Sequence, residues 1–363
     1  MEFFFDQLKT ITKNIQWGLL LSASLLGCSD SSLKGTGILT VVNAVTISEF
    51  IALIGSAGSS VYGRGIVSDN QGNSYVVGDT TAALHGQTLT GSKDTFIIKF
   101  NAQGSREWTR LLGVAGVDTI GWDVTVDSDG NPYVVGVTLG NLSGETKTGS
   151  RDLFVSKYDT NGNWQWTDLS GSAGFQTWGF DIAADSSGNV YAIGKSGGGV
   201  NGEASIGGDD GVIIKLSNSG NVQWTQMIGV VGGNTQAFGI DINSESIAIV
   251  GETSGNLNGE TVTGSMDLFV LKLDLSGTTQ WTRLLGQAGE TVQPSGVAFD
   301  STGHIYACGD IDSNIDGQVL TGTHDAFVTR YDPTGTKQWT RMLGVAGGDT
   351  RGDEVDITTD DTI

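Results

Sequence analysis

The chain has 363 residues, 38% of them hydrophobic and 16% charged, with 56 glycines but only 3 prolines. Its 19 Lys and Arg against 40 Asp and Glu give a formal charge of -21, which argues against nucleic acid as a partner because phosphate backbones are bound by basic patches. The apolar fraction is too high for a disordered chain, and the abundant glycine favours short strands joined by tight turns.

The first 27 residues have the pattern of an export signal. Lys9 and Lys13 precede an apolar run over 15–26, and Gly27 then stands directly before Cys28. A basic start, a short apolar stretch and a small residue describe a secretory signal peptide, which is too short to span a membrane as a helix. We therefore predict a signal peptide at 1–27, a linker at 28–37 and the folded body at 38–363.

The cysteine at the end of this signal resembles the lipobox of bacterial lipoproteins. The resemblance implies that Cys28 becomes the N-terminus after cleavage and carries the lipid, palmitate included, which anchors the protein at the cell envelope, expected at the outer membrane or cell surface. An ordinary signal peptide with an incidental cysteine remains the alternative. The chain has only one other cysteine, Cys308, so a disulfide framework is not expected. Cys308 occupies a position where other repeats carry Val or Ile, which predicts a small buried hydrophobe.

Beyond the signal, aromatic residues recur at an almost constant interval. Successive members are 58, 58, 58, 57 and 58 residues apart. A fixed period of this size indicates a repeat architecture, in which each unit buries its apolar face against its neighbours. The six positions are Phe50, Trp108, Trp166, Trp224, Trp281 and Trp339.

Each repeat contains four strand candidates. In the second repeat these cover 121–126, 133–136, 153–158 and 164–169, and the first pair and the second pair are each joined by a turn rich in Asp, Asn and Gly. We call the four strands a, b, c and d. Four antiparallel strands per unit, repeated about every 58 residues, predict an all-β fold, a β-propeller whose four-stranded sheets are its blades.

The repeat also resembles a known family. The a-b hairpin of residues 124–136 and the stretch 152–159 are similar to the SBBP-type β-propeller repeat of bacterial exported proteins, and the similarity runs from about Ile38 to the end of the chain. The resemblance implies the propeller fold and an extracytoplasmic setting. It brings no catalytic motif.

The strand count predicts six blades. With Phe50 in the Trp position, residues 38–53 supply strands c and d, and Val355 to Thr358 supply a further strand a. A ring that closes by sharing one blade between its two chain ends leaves no open sheet edges. The expectation is a mixed N- and C-terminal closing blade that lacks one strand. The alternatives are a shortened form of a longer propeller, five or more than six blades, and a seam filled by a partner's strand.

The start of strand a is the strongest candidate site. Since this strand lines the central channel of a propeller, its acidic residues should converge there: Asp123, Asp181 and Glu354, with Asp241 two positions further along its own strand. Such a cluster is suited to a cation or a cationic ligand group. The alternative is that the four carboxylates are solvated strand ends facing a water-filled pore.

Other chemistry is sparse. The turn from Asp127 to Asn131 resembles the start of a calcium loop but lacks the distant glutamate, so turn capping by its side chains is the simpler interpretation. The three histidines show no metal-ligand spacing, and no nucleophile motif stands between a strand and a helix. We expect no metal and no cofactor, with calcium as the open alternative.

These observations predict a non-catalytic binding or interaction module, lipid-anchored at the bacterial cell envelope. Its partner would be an extracellular protein or a glycan, with no nucleic acid, and the membrane would be reached only through the lipid. One alternative is a glycan-active hydrolase or lyase that uses Asp123, Asp181 and Glu354 as acid and base. Another is a truncated structural copy without activity. The long loops between strands b and c are a further expected location for binding.

Overall fold

The computed structural model describes residues 54–55 and 59–357, which form five four-stranded antiparallel sheets. In chain order the strands are β1 (Val61–Ser68), β2 (Ser74–Thr80), β3 (Asp94–Phe100), β4 (Arg106–Leu112), β5 (Thr119–Val126), β6 (Pro132–Thr138), β7 (Asp152–Tyr158), β8 (Trp164–Ser170), β9 (Thr177–Ala184), β10 (Val190–Ser196), β11 (Asp210–Leu216), β12 (Val222–Ile228), β13 (Thr235–Ile242), β14 (Ser246–Thr253), β15 (Asp267–Asp274), β16 (Thr279–Leu285), β17 (Val292–Phe299), β18 (Ile305–Ile311), β19 (Asp325–Tyr331) and β20 (Lys337–Leu343).

Every sheet contains four consecutive strands in chain order, from β1-β2-β3-β4 to β17-β18-β19-β20. The first strand of each sheet contacts the first strand of the next, so β1, β5, β9, β13 and β17 form the inner layer. The all-β propeller with four-stranded blades is thereby confirmed, and we number the complete blades 1 to 5. In the described part of the chain, no helix reaches the length and apolar character needed to cross a membrane.

The hairpin turns close as the sequence predicts. The Oδ1 of Asp127 accepts hydrogen bonds from the backbone N–H groups of Asp129 and Asn131, at 3.1 and 2.9 Å, and Gly130 takes a φ of 80°. In blade 4 the corresponding turn is shorter, because the N–H of Asn243 donates to the carbonyl of Ser246 at 3.0 Å. This one-residue deletion accounts for the single 57-residue interval between the repeated aromatics.

The repeated Trp residues pack between neighbouring blades. Trp108 is 8% exposed, and its Nε1 donates to the carbonyl of Thr160 in blade 2 at 3.1 Å. Trp166 and Trp281 make the same bond to the following blade, at 3.0 and 3.1 Å. Gly162 lies against the Trp108 ring, where a Cβ would come within 2.7 Å of it. Core packing between blades is thus confirmed for Trp108, Trp166, Trp224 and Trp281.

A column of cations on the third strands fastens the same interfaces. Lys157 lies 4.6 Å from the centroid of the Tyr133 ring, pairs with Asp127 at 3.3 Å and contacts Asn218 of the next blade. Four of the five cations are held beside a tyrosine and most reach the following blade, so burial of the charge is compensated. The column comprises Lys99, Lys157, Lys215, Lys272 and Arg330.

Residues after blade 5 continue the repeat pattern without completing a sheet. The N–H of Thr350 donates to the carbonyl of His324 at 3.0 Å, as Thr119 does to Lys93 one repeat unit after blade 1. Val355 is 6% exposed and belongs to an apolar cluster with buried Cys308, whose predicted small-hydrophobe role is confirmed. Residues 351–357 carry no strand assignment. Cys28, the hairpin expected at 38–53 and residues 358–363 lie outside the described residues, so the six-bladed closure stays a prediction.

Candidate functional site

The inner strands depart from regular pairing at one place each, by a β-bulge or a related irregularity. In β1 the register shifts between Gly63 and Gly65, which leaves Arg64 without an opposite residue. The same shift occurs in β5, β9 and β13, and in β17 it is wider, since Ser295 and Gly296 both lie outside the pairing. Bulges turn a side chain out of the ladder direction. The residues at this position are Arg64, Trp122, Phe180, Phe238, Ser295 and, after blade 5, Asp353.

All six of these side chains line one cavity of 320 Å³ at an end of the central channel. We call this cavity the mouth. It opens on the face that carries the b-c loops and the connections between blades, since it lies where the inner strands begin. The face at the other end carries the a-b and c-d hairpin turns.

Aromatic rings form the wall of the mouth on blades 2 to 4. Phe180 meets Trp122 edge to face, with centroids 5.7 Å apart, and stacks on Phe238 at 5.6 Å. The guanidinium of Arg64 lies 4.2 Å from the centroid of Trp122 and is fixed by a 2.8 Å ion pair with Asp79. The wall is therefore a contiguous aromatic surface whose one cation is held in place before any ligand arrives.

The four predicted acidic residues do converge. Asp123, Asp181, Asp241 and Glu354 line a 450 Å³ section of the channel, and the first, second and fourth also border the mouth. The predicted convergence on the channel is thus confirmed. Whether the cluster binds a cation stays a prediction.

Two of these carboxylates brace the inner strands. Asp181 accepts hydrogen bonds from the N–H of Ile182 at 2.6 Å and from that of Ile240, in the next blade, at 2.8 Å. Asp241 likewise accepts from Ile242 and from Phe299 of the following blade, both at 2.7 Å.

Each of these two residues uses one carboxylate oxygen within its own strand and the other across the blade interface. These hydrogen bonds link the inner strands of blades 3, 4 and 5. Asp181 and Asp241 thus have less capacity left for a ligand.

Burial and mutual repulsion make the cluster hold protons. Burial raises the pKa of Asp123 well above its ordinary value, and the adjacent Asp181 raises it further. Burial also raises the pKa of Asp181, that of Asp241 to about 6, and that of Glu354 to about 7. Near neutral pH the channel therefore carries less negative charge than four fully ionised carboxylates would give.

In the turn from Asp127 to Asn131, which resembles the start of a calcium loop, both carboxylate oxygens of Asp127 already accept hydrogen bonds. Asp127 accepts from its own turn, from the hydroxyl of Tyr133 at 3.0 Å and from Lys157 at 3.3 Å. Turn capping is therefore confirmed as its role. Among residues 54–55 and 59–357, no group of three or more His, Cys, Asp or Glu side chains is arranged to hold a metal ion.

Sequence reasoning found the acidic column but missed the bulged one beside it. The available signal was variation at one position of the repeat, which changes along the chain as Arg, Trp, Phe, Phe, Ser and Asp. This position directly precedes Gly65, Asp123, Asp181, Gly239, Gly296 and Glu354. The predicted b-c loops share one shape instead. In blades 1, 2, 4 and 5 a short bridge closes the loop, as between Leu142 and Glu145, and in all five blades a left-handed residue such as Ser143 stands at its tip.

The sheets, their order and the channel define a β-propeller protein. The SBBP beta-propeller repeat family model matches four segments, residues 49–84, 107–143, 165–200 and 280–316. The chain is an SBBP-type β-propeller repeat protein. The first match begins one residue before Phe50, as the others begin one residue before Trp108, Trp166 and Trp281, so Phe50 takes the Trp position of the repeat.

A curated relative is the Regulatory protein FlaEY of Caulobacter vibrioides, 27% identical over 290 residues. That match covers 70% of this chain and 30% of the relative, so the chain spans about a third of the relative's length.

Similar solved structures include an ulvan lyase of a polysaccharide lyase family, with a TM-score of 0.46, 13% identity and coverage of 74% of this chain and 68% of the other. The α-L-arabinofuranosidase of Fusarium graminearum has a TM-score of 0.43, 8% identity and coverage of 78% and 92%. Likeness at this level carries no argument about activity.

Proposed function

We propose that this protein is a non-catalytic binding module and that the mouth is its binding surface. The observation that carries the proposal is the set of six side chains that meet there from one position of the repeat, among which only Phe180 and Phe238 are alike. Interfaces that recur from blade to blade hold these residues on a rigid frame, and a concave surface with aromatic walls and a few charged groups is typical of a ligand site. The partner is an extracellular protein or a glycan, and no cofactor is required.

The engagement of the channel carboxylates supports binding rather than catalysis. Glycoside hydrolysis needs two carboxyl groups that reach the substrate, one as acid and the other as base or nucleophile. Both oxygens of Asp181 already accept backbone hydrogen bonds, and Asp123 is paired with Asp181. Glu354 and Asp353 are the carboxylates that water still reaches at the mouth, and they are adjacent in the chain rather than placed on two sides of a substrate, as that reaction requires.

The export signal completes the proposal. Cleavage before Cys28 and lipidation of its thiol would tether the propeller at the bacterial cell envelope, at the outer membrane or cell surface. The check is metabolic labelling of an expressing bacterium with a palmitate analogue. The wild-type chain should take up label and remain with membranes, and Cys28→Ser should do neither. Equal labelling of the two would contradict the anchor.

The binding proposal is tested with the full chain on arrays of glycans and extracellular-matrix proteins, with and without a calcium chelator. Any ligand of the mouth should be lost in the double variant Trp122→Ala, Phe238→Ala. The matched control is Trp164→Ala, because Trp164 is 49% exposed on the outer strand of blade 2, away from the mouth.

Binding that is equal in the mouth variant and the control would refute the mouth as the site. Turnover of a glycan that disappears in Glu354→Gln would refute the non-catalytic assignment. Loss of binding in the presence of the chelator would show that the site requires calcium.

A further inference from the structure

A second cavity lies beside the mouth, between blades 2 and 3. This rim groove has a volume of 390 Å³ and includes Ser150, Phe175, Gln176, Trp178, Lys195 and Asp209 in its lining. Phe175 is 50% exposed. Gly197 and Gly198 make room for it, since a Cβ on Gly198 would come within 2.6 Å of the Phe175 ring. The groove is thus a local departure from the repeat.

An uncompensated cation stands at this groove. The guanidinium of Arg151 lies 4.6 Å from the centroid of the Trp178 ring. Its side chain has no hydrogen bond and no ion pair with any residue in 54–55 or 59–357, although the whole chain has a formal charge of -21. A guanidinium stacked on an indole is held flat and keeps its N–H edges for a planar anionic group. Lys195 adds a second cation, shared with Asp209 at 3.1 Å.

The groove and the mouth share one aromatic floor. The rings of Trp178 and Phe180 are 6.2 Å apart, and Phe180 in turn contacts Trp122 and Phe238 in the mouth. Arg151 and Arg64 cover the Trp residues at the two ends of this surface. A ligand long enough to follow the floor would meet a stacked guanidinium at each end.

We propose that the rim groove is an anion subsite for an acidic polysaccharide, whose carboxylate or sulfate groups meet Arg151 while the chain runs on into the mouth. This inference rests on the proposed binding function and names its ligand class. The floor of rings supports sugar faces, and Ser150, Gln176 and Asp209 offer a mixture of donors and acceptors to hydroxyl groups. Most of the groove's lining lies in loops and blade connections, and its strand residues Trp178 and Lys195 pair with each other, so the groove offers no free ladder to an extended peptide.

The test measures binding of the full chain to polygalacturonate, dextran sulfate, neutral dextran and poly-L-glutamate. The variants are Arg151→Gln and Phe175→Ala, and the matched control is Arg106→Gln, at an exposed arginine where strand β4 of blade 1 begins. We expect the charged polysaccharides to bind better than dextran. Arg151→Gln should weaken them about tenfold to a hundredfold, as the loss of a charge-assisted hydrogen bond does. The preferred polymer distinguishes carboxylate from sulfate as the anionic group.

Three outcomes would overturn this inference. They are equal binding of dextran and the charged polymers, equal effects of Arg151→Gln and Arg106→Gln, and poly-L-glutamate binding with the same dependence on Arg151. A ligand that needs Trp122 and Phe238 but not Arg151 would leave the binding module standing and remove only the anion subsite. If ligand binding depends neither on Trp122 and Phe238 nor on Arg151 and Phe175, the proposed function itself is refuted.

Discussion

The blade interfaces and the mouth of the channel are built on opposite rules. At the interfaces the same contact recurs from blade to blade: Trp108, Trp166 and Trp281 each donate to the carbonyl of a residue 52 positions further on. At the mouth, neighbouring blades place a guanidinium, an indole or a phenyl ring at one equivalent position. Repetition therefore marks the residues that hold the blades together, and its absence marks those available to a ligand.

The largest effect is expected when a tryptophan is replaced by alanine in each of the two regions. Trp108→Ala should destabilise the protein by about 3–5 kcal/mol, because it opens a cavity between two blades and removes a bond to Thr160. Trp122→Ala, in the mouth, should cost about 1 kcal/mol or less, because its ring is only partly buried and its contacts with Arg64 and Phe180 are made at the mouth rather than between the packed faces of the blades. Urea unfolding followed by circular dichroism measures both. Similar losses in the two variants would remove the distinction between interface and mouth.

A pair of glycines makes the same comparison at the level of the backbone. Gly162 and Gly174 both have positive φ, 75° and 81°, so alanine at either should cost about 1–2 kcal/mol in backbone strain. Only Gly162 faces a neighbouring Trp, whereas a Cβ at Gly174 meets nothing within 4 Å. Gly162→Ala should therefore be the more damaging of the two in urea unfolding. Equal losses would mean that the Trp ring moves aside without penalty.

The channel acids predict how stability depends on pH. Burial raises the pKa of Glu354 from 4.5 to about 7, so the folded protein keeps a proton that the unfolded chain releases. Stability from this group is present below about pH 4.5 and is lost as the pH rises towards 7.

Glu354→Gln should flatten this part of the profile and raise the melting temperature at pH 8 relative to wild type. Thermal unfolding at intervals between pH 5 and pH 8 measures the effect. An unchanged slope in the variant would show that the folded chain does not hold the proton on Glu354.

The smallest effect on stability is expected at Cys308, where the equivalent residues of the other repeats indicate which substitution fits. Cys308 is 2% exposed at a position where other blades carry Val77, Val135, Ile193 and Val250. Cys308→Val should change stability by less than about 1.5 kcal/mol, as volume-conserving core exchanges do. Burial raises the pKa of the Cys308 thiol to about 11, so a thiol reagent should label the wild-type protein only after unfolding. Rapid labelling of the native protein would contradict this burial.

Much of the fold could be predicted because its signals are local or periodic. Turns such as 127–131 are specified by side chains that bond within five residues, and the Trp spacing counts the blades directly. The acidic column was found in the same way, by aligning repeats. The use of Asp181 and Asp241 as braces was not predictable, because it depends on contacts with Ile240 and Phe299, 59 and 58 residues away.

The bulges escaped prediction for a different reason. A strand that carries an extra residue at Trp122 still alternates on either side of it, so its periodicity reads as an ordinary strand. The position of Arg151 was equally hidden, since its lack of an ion pair within the described part of the chain shows only once the chain is folded. Both features depend on the three-dimensional surroundings of single residues rather than on their repeat.

The bulge has a consequence for how such a protein diversifies. Since the side chain at this position is exempt from cross-strand pairing, a codon change there alters the mouth while the sheet keeps its register. Six equivalent positions, one per inner strand and one at Asp353, can then vary independently of one another. In duplicated blades of this kind, new ligand preferences can arise by single substitutions at these positions, while the fold stays the same.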